Sequence, residues 1–70
     1  MISKLIEIKE LALRVKRARD KYKQEREKLE VLQTAEGVEL AIEDQKKEVV
    51  KAARKEEEAI DALLESIEIL

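Results

Sequence analysis

The chain has 70 residues, 46% of them charged and 1% aromatic, with one Gly and no Pro, Cys, His, Trp or Phe. Without Cys there is neither a disulfide framework nor a thiolate zinc site, and without His the usual neutral-pH proton shuttle and the commonest metal ligand are missing. Lys plus Arg number 15 against 17 Asp plus Glu, a net charge of −2 that selects no ligand class by itself.

Uninterrupted apolar runs stop at two or three residues, far short of the ~20 needed to cross a bilayer. No apolar signal segment follows Met1. The expectation is a soluble chain with no membrane partner, cytoplasmic if natural. A compact 8.1 kDa protein exposes about 4,500 Å² and buries roughly 60% of its unfolded surface, which is marginal for a lone domain. Partners are therefore expected, foremost further copies of the same chain.

A first helix is predicted over about residues 2–33. Ile8, Leu11, Val15, Ala18, Tyr22, Leu29 and Leu32 recur mostly at alternating threes and fours, the spacing of one helical face. Ile2, Ile6 and Leu13 lie on a second face. Arg14 to Lys28 carries eight basic residues against Asp20, Glu25 and Glu27. A basic helix can follow phosphates, with an affinity that falls steeply with salt. Here the basic residues are spread around the helix and interrupted by acids. Met1 to Gln33 nets +4 and Thr34 to Leu70 nets −6, so pairing between the halves explains the same charges more simply.

A turn is predicted at about residues 34–37. Gly37 can close the first helix in the left-handed conformation at C′, or Thr34 can cap a second helix and leave Gly37 in its first turn. Continuing a straight helix through the joint at 3.6 residues per turn rotates the second stripe about 170° from the first, which favours a break. Val31, Ala35, Val38 and Ile42 carry an apolar line straight across, which favours continuity.

A second helix is predicted over about residues 38–70. Its stripe runs through Val38, Ile42, Gln45, Val49, Ala53, Glu56, Ile60, Leu63, Ile67 and Leu70. Ala, Leu, Glu, Lys, Arg and Gln fill most other positions of both segments and are strong helix formers. No stretch alternates with period two, so no strand is predicted.

Partners on the two stripes sum to about 71: Leu29 with Ile42, Tyr22 with Val49, Ala18 with Ala53, Leu11 with Ile60 and Ile8 with Leu63. The predicted fold is all-α, a two-helix antiparallel hairpin self-associating into a four-helix bundle. A continuous helix of roughly 105 Å, paired with another in an antiparallel coiled coil, makes the same contacts and is the alternative. Apolar residues beyond one seam gather at the ends: Ile2, Ile6 and Leu13, with Leu64 and Ile69, near the termini, and Val31 with Leu40 near the turn. Such patches mark interfaces. Between them only Ala18 and Tyr22 of residues 16 to 28 are offered to the seam, where Val49, Ala52 and Ala53 allow close approach.

Glu56 interrupts the second stripe near Val15, with Arg14 and Arg19 as possible counter-ions. A carboxylate in an apolar setting can act as an acid or base; the simpler reading is a polar position that fixes register. Arg26 with Gln45 is expected to form a second polar layer. Glu56, Glu57 and Glu58 point in three directions, and Glu39 with Glu43 or Glu65 with Glu68 lack the converging oxygens a hard cation needs. Ser3, Thr34, Ser66 and Tyr22 are the only hydroxyls, with no nucleophile–base pair and no phosphate loop. No catalytic residue, cofactor, metal or small-molecule substrate is expected, and the chain is read as a non-enzyme.

In architecture the pattern resembles the Rop-like dimeric hairpin bundles, though no residue motif is shared. The narrow set of residue types is similar to that of de novo designed helical proteins. Both resemblances imply a structural, self-assembling module with a homodimer as the first expectation. A basic-helix module binding nucleic acid, or one binding an acidic partner, is the alternative.

Overall fold

The structure, a computed structural model, describes residues 2–68. Two helices, α1 (Ile2–Gln33) and α2 (Glu39–Glu68), pack against each other as a hairpin 56 Å long and 13 × 11 Å across. No strand occurs among the described residues. The fold is thus all-α, and the continuous-helix alternative does not form.

The break has a local cause. Gly37 has φ +77°, a conformation that a helix cannot contain and that a Cβ disfavours. On its N-terminal side α1 tightens as it ends. The amides of Thr34 and Ala35 donate to the carbonyls of Val31 (3.2 Å) and Leu32 (3.1 Å), the i→i+3 pattern that satisfies orphan carbonyls. The Thr34 hydroxyl also donates to the Val31 carbonyl, at 2.7 Å. Thr34 therefore serves the end of α1 and does not cap α2.

Gly37 has the expected positive φ, but it lies four residues past the end of α1, not at its C′ position. There it re-aims the chain into α2. Val38 is correspondingly outside the helix. Its carbonyl accepts the first helical bond, from the Ile42 amide at 2.9 Å, which makes it the N-cap, although its side chain offers no oxygen to the remaining free amides. Glu39 in the first turn gives the positive end of the helix dipole a favourable charge.

From Lys4 to Leu32 the inward positions of α1 advance by fours and threes without exception: 4, 8, 11, 15, 18, 22, 25, 29 and 32. From Val38 to Ser66 those of α2 do the same: 38, 42, 45, 49, 52, 56, 59, 63 and 66. This is the heptad repeat of a coiled coil, 3.5 residues per turn, with partners that sum to 70 or 71.

That pace corrects the second stripe. A 3.6-residue helix drifts about 20° per heptad relative to a 3.5 repeat, so a stripe drawn at 100° steps slides off the seam by one residue. Ala52 and Ala59 are the buried residues, whereas Ala53 and Ile60 are half-buried at its margin. Ile67, expected inside, is 46% exposed, and the small Ser66 takes the buried place beside it. Leu70 and Ile69 lie outside the described residues. The remaining expected seam residues, Ile8, Leu11, Val15, Ala18, Tyr22, Leu29, Leu32, Val38, Ile42, Val49 and Leu63, are all half-buried.

The seam is thin. Among the described residues only Glu25, Ala52, Ala59 and Ser66 are buried, and no large side chain is sealed from water on every side. No helix among the described residues is long and apolar enough to cross a membrane.

The positive φ of Gly37 gives a first prediction. No atom lies within 4 Å of a Cβ placed on Gly37, so Gly37→Ala meets backbone strain alone and should destabilise by about 1 kcal/mol. Urea unfolding followed by circular dichroism measures this, and a rise in midpoint would contradict the assigned role.

Candidate functional site

The chemistry of the hairpin is concentrated in two polar layers of the seam and in two unlike flanks beside it. The more buried layer belongs to Glu25, whose side chain is 5% exposed. The Gln45 amide reaches across from α2 and donates to Glu25 Oε2 at 2.7 Å and to the Glu25 backbone carbonyl at 2.8 Å. Lys21 and Lys28, one turn before and after, bring their Nζ atoms to 3.0 and 3.3 Å from Oε1. Both carboxylate oxygens are thus paired.

The hydrogen bond from Gln45 is the largest cause that holds the Glu25 carboxyl down to about 2, followed by the bond from Lys21. Burial opposes these and is outweighed, with Lys28 adding to the lowering. A buried carboxylate accepting several donors stays charged for this reason.

This layer corrects the expected pairing of Arg26 with Gln45. Arg26 is exposed, its guanidinium carbon 5.7 Å from the centre of the Tyr22 ring, while Glu25 takes the inward place one residue earlier. The middle of α1 therefore offers Glu25 to the seam as well as Ala18 and Tyr22. The signal was present in the spacing. Tyr22 and Leu29 are seven apart, and the three-then-four step between them falls on residue 25.

Glu56 forms the second layer. It shares a level with Val15 and is half-buried, and of its two candidate counter-ions Arg19 is the one engaged, Nε to Oε1 at 3.1 Å. The Arg19 side chain is itself 69% exposed, so the pair is solvated at its outer end and weak in the manner of surface ion pairs. Glu57 and Glu58 are exposed. No group of three carboxylates among the described residues is placed to hold a metal ion. Ser66 Oγ is buried without a hydrogen-bond partner among the described residues.

In an antiparallel heptad pair the residues flanking the seam fall on two separate sides. One flank carries Leu5, Arg19 and Arg26 of α1 beside Lys46, Ile60 and Ile67 of α2. The other carries Arg14, Lys21 and Lys28 beside Glu48 and Lys55. Shallow depressions follow the same division: one is lined by Lys21, Glu25, Glu48 and Lys55, another by Arg19, Tyr22, Lys23 and Arg26.

Apolar residues are exposed on this frame mostly at its ends. Ile2, Leu5, Ile6, Leu13, Leu64 and Ile67 stand at the open end, and Val31 and Leu40 near the turn, with Val50 alone between them. Leu5, Val50 and Ile67 extend the residues expected to be outside the seam. Leu40 at 84% and Ile2 at 76% are nearly as exposed as in an unfolded chain. Near the turn, Val31 and Leu32 line a groove with Gln24, Lys28 and Gln45.

Of the eight basic residues between Arg14 and Lys28, Arg19, Lys21 and Lys28 are engaged with carboxylates of the hairpin itself, and Arg26 with Tyr22. Comparison with known proteins finds no matching family model, no matching curated protein and no matching solved structure.

Two predictions follow from the polar layers. A carboxyl whose folded value is depressed stabilises the fold above its unfolded value of about 4.3 and loses that contribution as pH falls through its folded value. The thermal midpoint should therefore fall between roughly pH 5 and pH 2, and Glu25→Gln should flatten that part of the profile. Parallel pH profiles for the two proteins would be the contrary result. Glu56→Leu removes a solvated ion pair and completes an apolar layer with Val15. It should raise stability by about 1 kcal/mol in urea unfolding.

Proposed function

We propose that the chain is a structural self-association module, a helical hairpin whose working surface is its own exposed apolar residues and which builds a four-helix bundle from two copies. The observation that carries this reading is the cluster Ile2, Leu5, Leu64 and Ile67 at the open end, all more than two-fifths exposed. A soluble single chain rarely leaves a contiguous apolar patch of this kind uncovered. The thin seam points the same way, since a hairpin with two buried alanines as its apolar core has little to offset the entropy of ordering its helices.

The engagement of basic residues within the hairpin supports this reading over one in which the Arg14–Lys28 segment serves a nucleic acid. Charges engaged with Glu25 and Glu56 are withdrawn from phosphate tracking, and the basic edge left on α1 has an acidic counterpart in Glu39, Glu43 and Glu57 of α2.

Size exclusion coupled to light scattering tests the proposal. The expected mass is that of two chains at tens of micromolar. Leu5→Lys combined with Leu64→Lys, both at exposed positions, should lower it towards one. A wild-type mass of one chain, unchanged up to millimolar concentration, would refute the module.

A further inference from the structure

Self-association alone leaves the arrangement of the copies open, and the hairpin carries enough asymmetry to decide it. Building on that proposed self-association, we infer that a second copy docks on the flank bearing Leu5 and Ile67, with both open ends at the same end and α1 of each copy against α2 of the other.

The flank is chosen by its apolar content. Leu5, Ile60 and Ile67 border the seam on that side, and Ile2 and Leu64 are the next residues outward by heptad position. At the same level the opposite flank presents Glu7, Glu10, Glu58 and Glu65, all exposed. Closing two hairpins over the first side makes an apolar core from four helices, whereas closing them over the second brings carboxylates together.

The orientation is chosen by charge. On the docking flank the outer edge of α1 carries Lys9, Lys16, Arg19, Lys23 and Arg26 with Glu30 as its one acid, while that of α2 carries Glu39, Glu43 and Glu57 against Lys46. A two-fold axis along the hairpin brings the apolar open ends of the two copies together and sets the net basic edge of α1 against the net acidic edge of α2. Lys16 then lies near Glu57, while Lys23 and Arg26 come level with Lys46 and Glu30 with Glu39. An axis across the hairpin sets α1 against α1, with five basic residues facing their own copies. Lys9, Lys16, Lys23 and Glu57 make no ion pair among the described residues, so their charges are available to a second copy. Level also agrees: Lys16 and Glu57 are offset by two residues along the axis, about 3 Å at 1.5 Å per residue, and Leu5 lies level with Leu64 and Ile67 of the second copy.

The area sets the number of copies. The chain exposes 5813 Å², about 1,300 Å² beyond the roughly 4,500 Å² of a compact protein of its mass. A standard interface removes about 800 Å² from each partner, so one further copy covers most of that excess.

Spin labels on Glu36→Cys test the arrangement, because residue 36 is exposed in the turn and reports where the two turns lie. With helices packed 8–10 Å apart, the side-by-side form predicts an interchain distance of about 20 to 30 Å including the label arms. The opposite orientation separates the turns by about the 56 Å length of the hairpin. Light scattering on the same sample separates the two possible failures. A mass of two or more chains with turns about 50 Å or more apart, or beyond range, would overturn the arrangement and leave self-association standing. A mass of one chain would overturn self-association itself. Charge reversal supplies an independent readout: Lys16→Glu should raise the dissociation constant about tenfold through its two symmetric contacts. Adding Glu57→Lys should restore it, and failure of the second change to rescue the first would refute the contact of α1 with α2 of the other copy.

Discussion

Glu25 can be buried only where something donates to it, and on α2 the residue that does so is Gln45. The carboxylate has two oxygens to satisfy. Lys21 and Lys28 come from its own helix and hold one of them wherever α2 lies, but the other is met at 2.7 Å by the Gln45 amide. Sliding α2 by one heptad would replace Gln45 with Ala52 or Val38, neither of which can donate from its side chain. A misaligned pair would then leave a carboxylate oxygen, and the Gln45 amide with it, without a partner in the seam. Polar positions of this kind set register in coiled coils at some cost in stability. The rest of the hairpin depends on that setting, because aliphatic and alanine layers alone tolerate several alignments.

Size complementarity reinforces the register. Tyr22 meets Val49 and Ala18 meets Ala52, so the helices approach closely where α2 offers its smallest side chains. Towards the open end Ile8 and Leu63 share a level, while Ser66, opposite Lys4, keeps the last layer narrow. The consequence is a seam that specifies alignment well but buries little. Packing of large side chains, the usual source of stability in a domain of this size, is left on the outside, and the same sequence economy that defines the hairpin leaves it short of a core.

Charge has two uses along the molecule. On one flank Lys21 and Lys28 neutralise a buried acid, and on the other Arg19 reaches Glu56. The excess of basic residues on α1 and acidic residues on α2 is therefore only partly consumed between the two helices. What remains lies on outward positions, where it has little effect on the fold and more on the choice and orientation of a neighbour.

Two helices, a turn close to the single glycine and pairing that sums to about 71 were all legible in the sequence, because each follows from local spacing: apolar residues at threes and fours, good helix formers between them, and one residue free to adopt positive φ. The patches of Ile2, Leu13, Val31, Leu40 and Leu64 were legible for the same reason, as residues the stripes did not use. What the sequence read alone placed wrongly depends on how one helix bends around another. Supercoiling changes the effective repeat from 3.6 to 3.5 residues, and that small difference moves the innermost line to Ala52, Ala59 and Ser66, leaving Ala53 and Ile60 half-buried at its margin and Ile67 exposed. It also brings Glu25 inward in place of Arg26. A single helix carries no information about its partner's curvature, and a charged residue at a seam position reads as an interruption until the donor that satisfies it is seen across the interface. The tertiary structure decided those positions because it alone supplied Gln45, 20 residues away in the chain and 2.7 Å away in space.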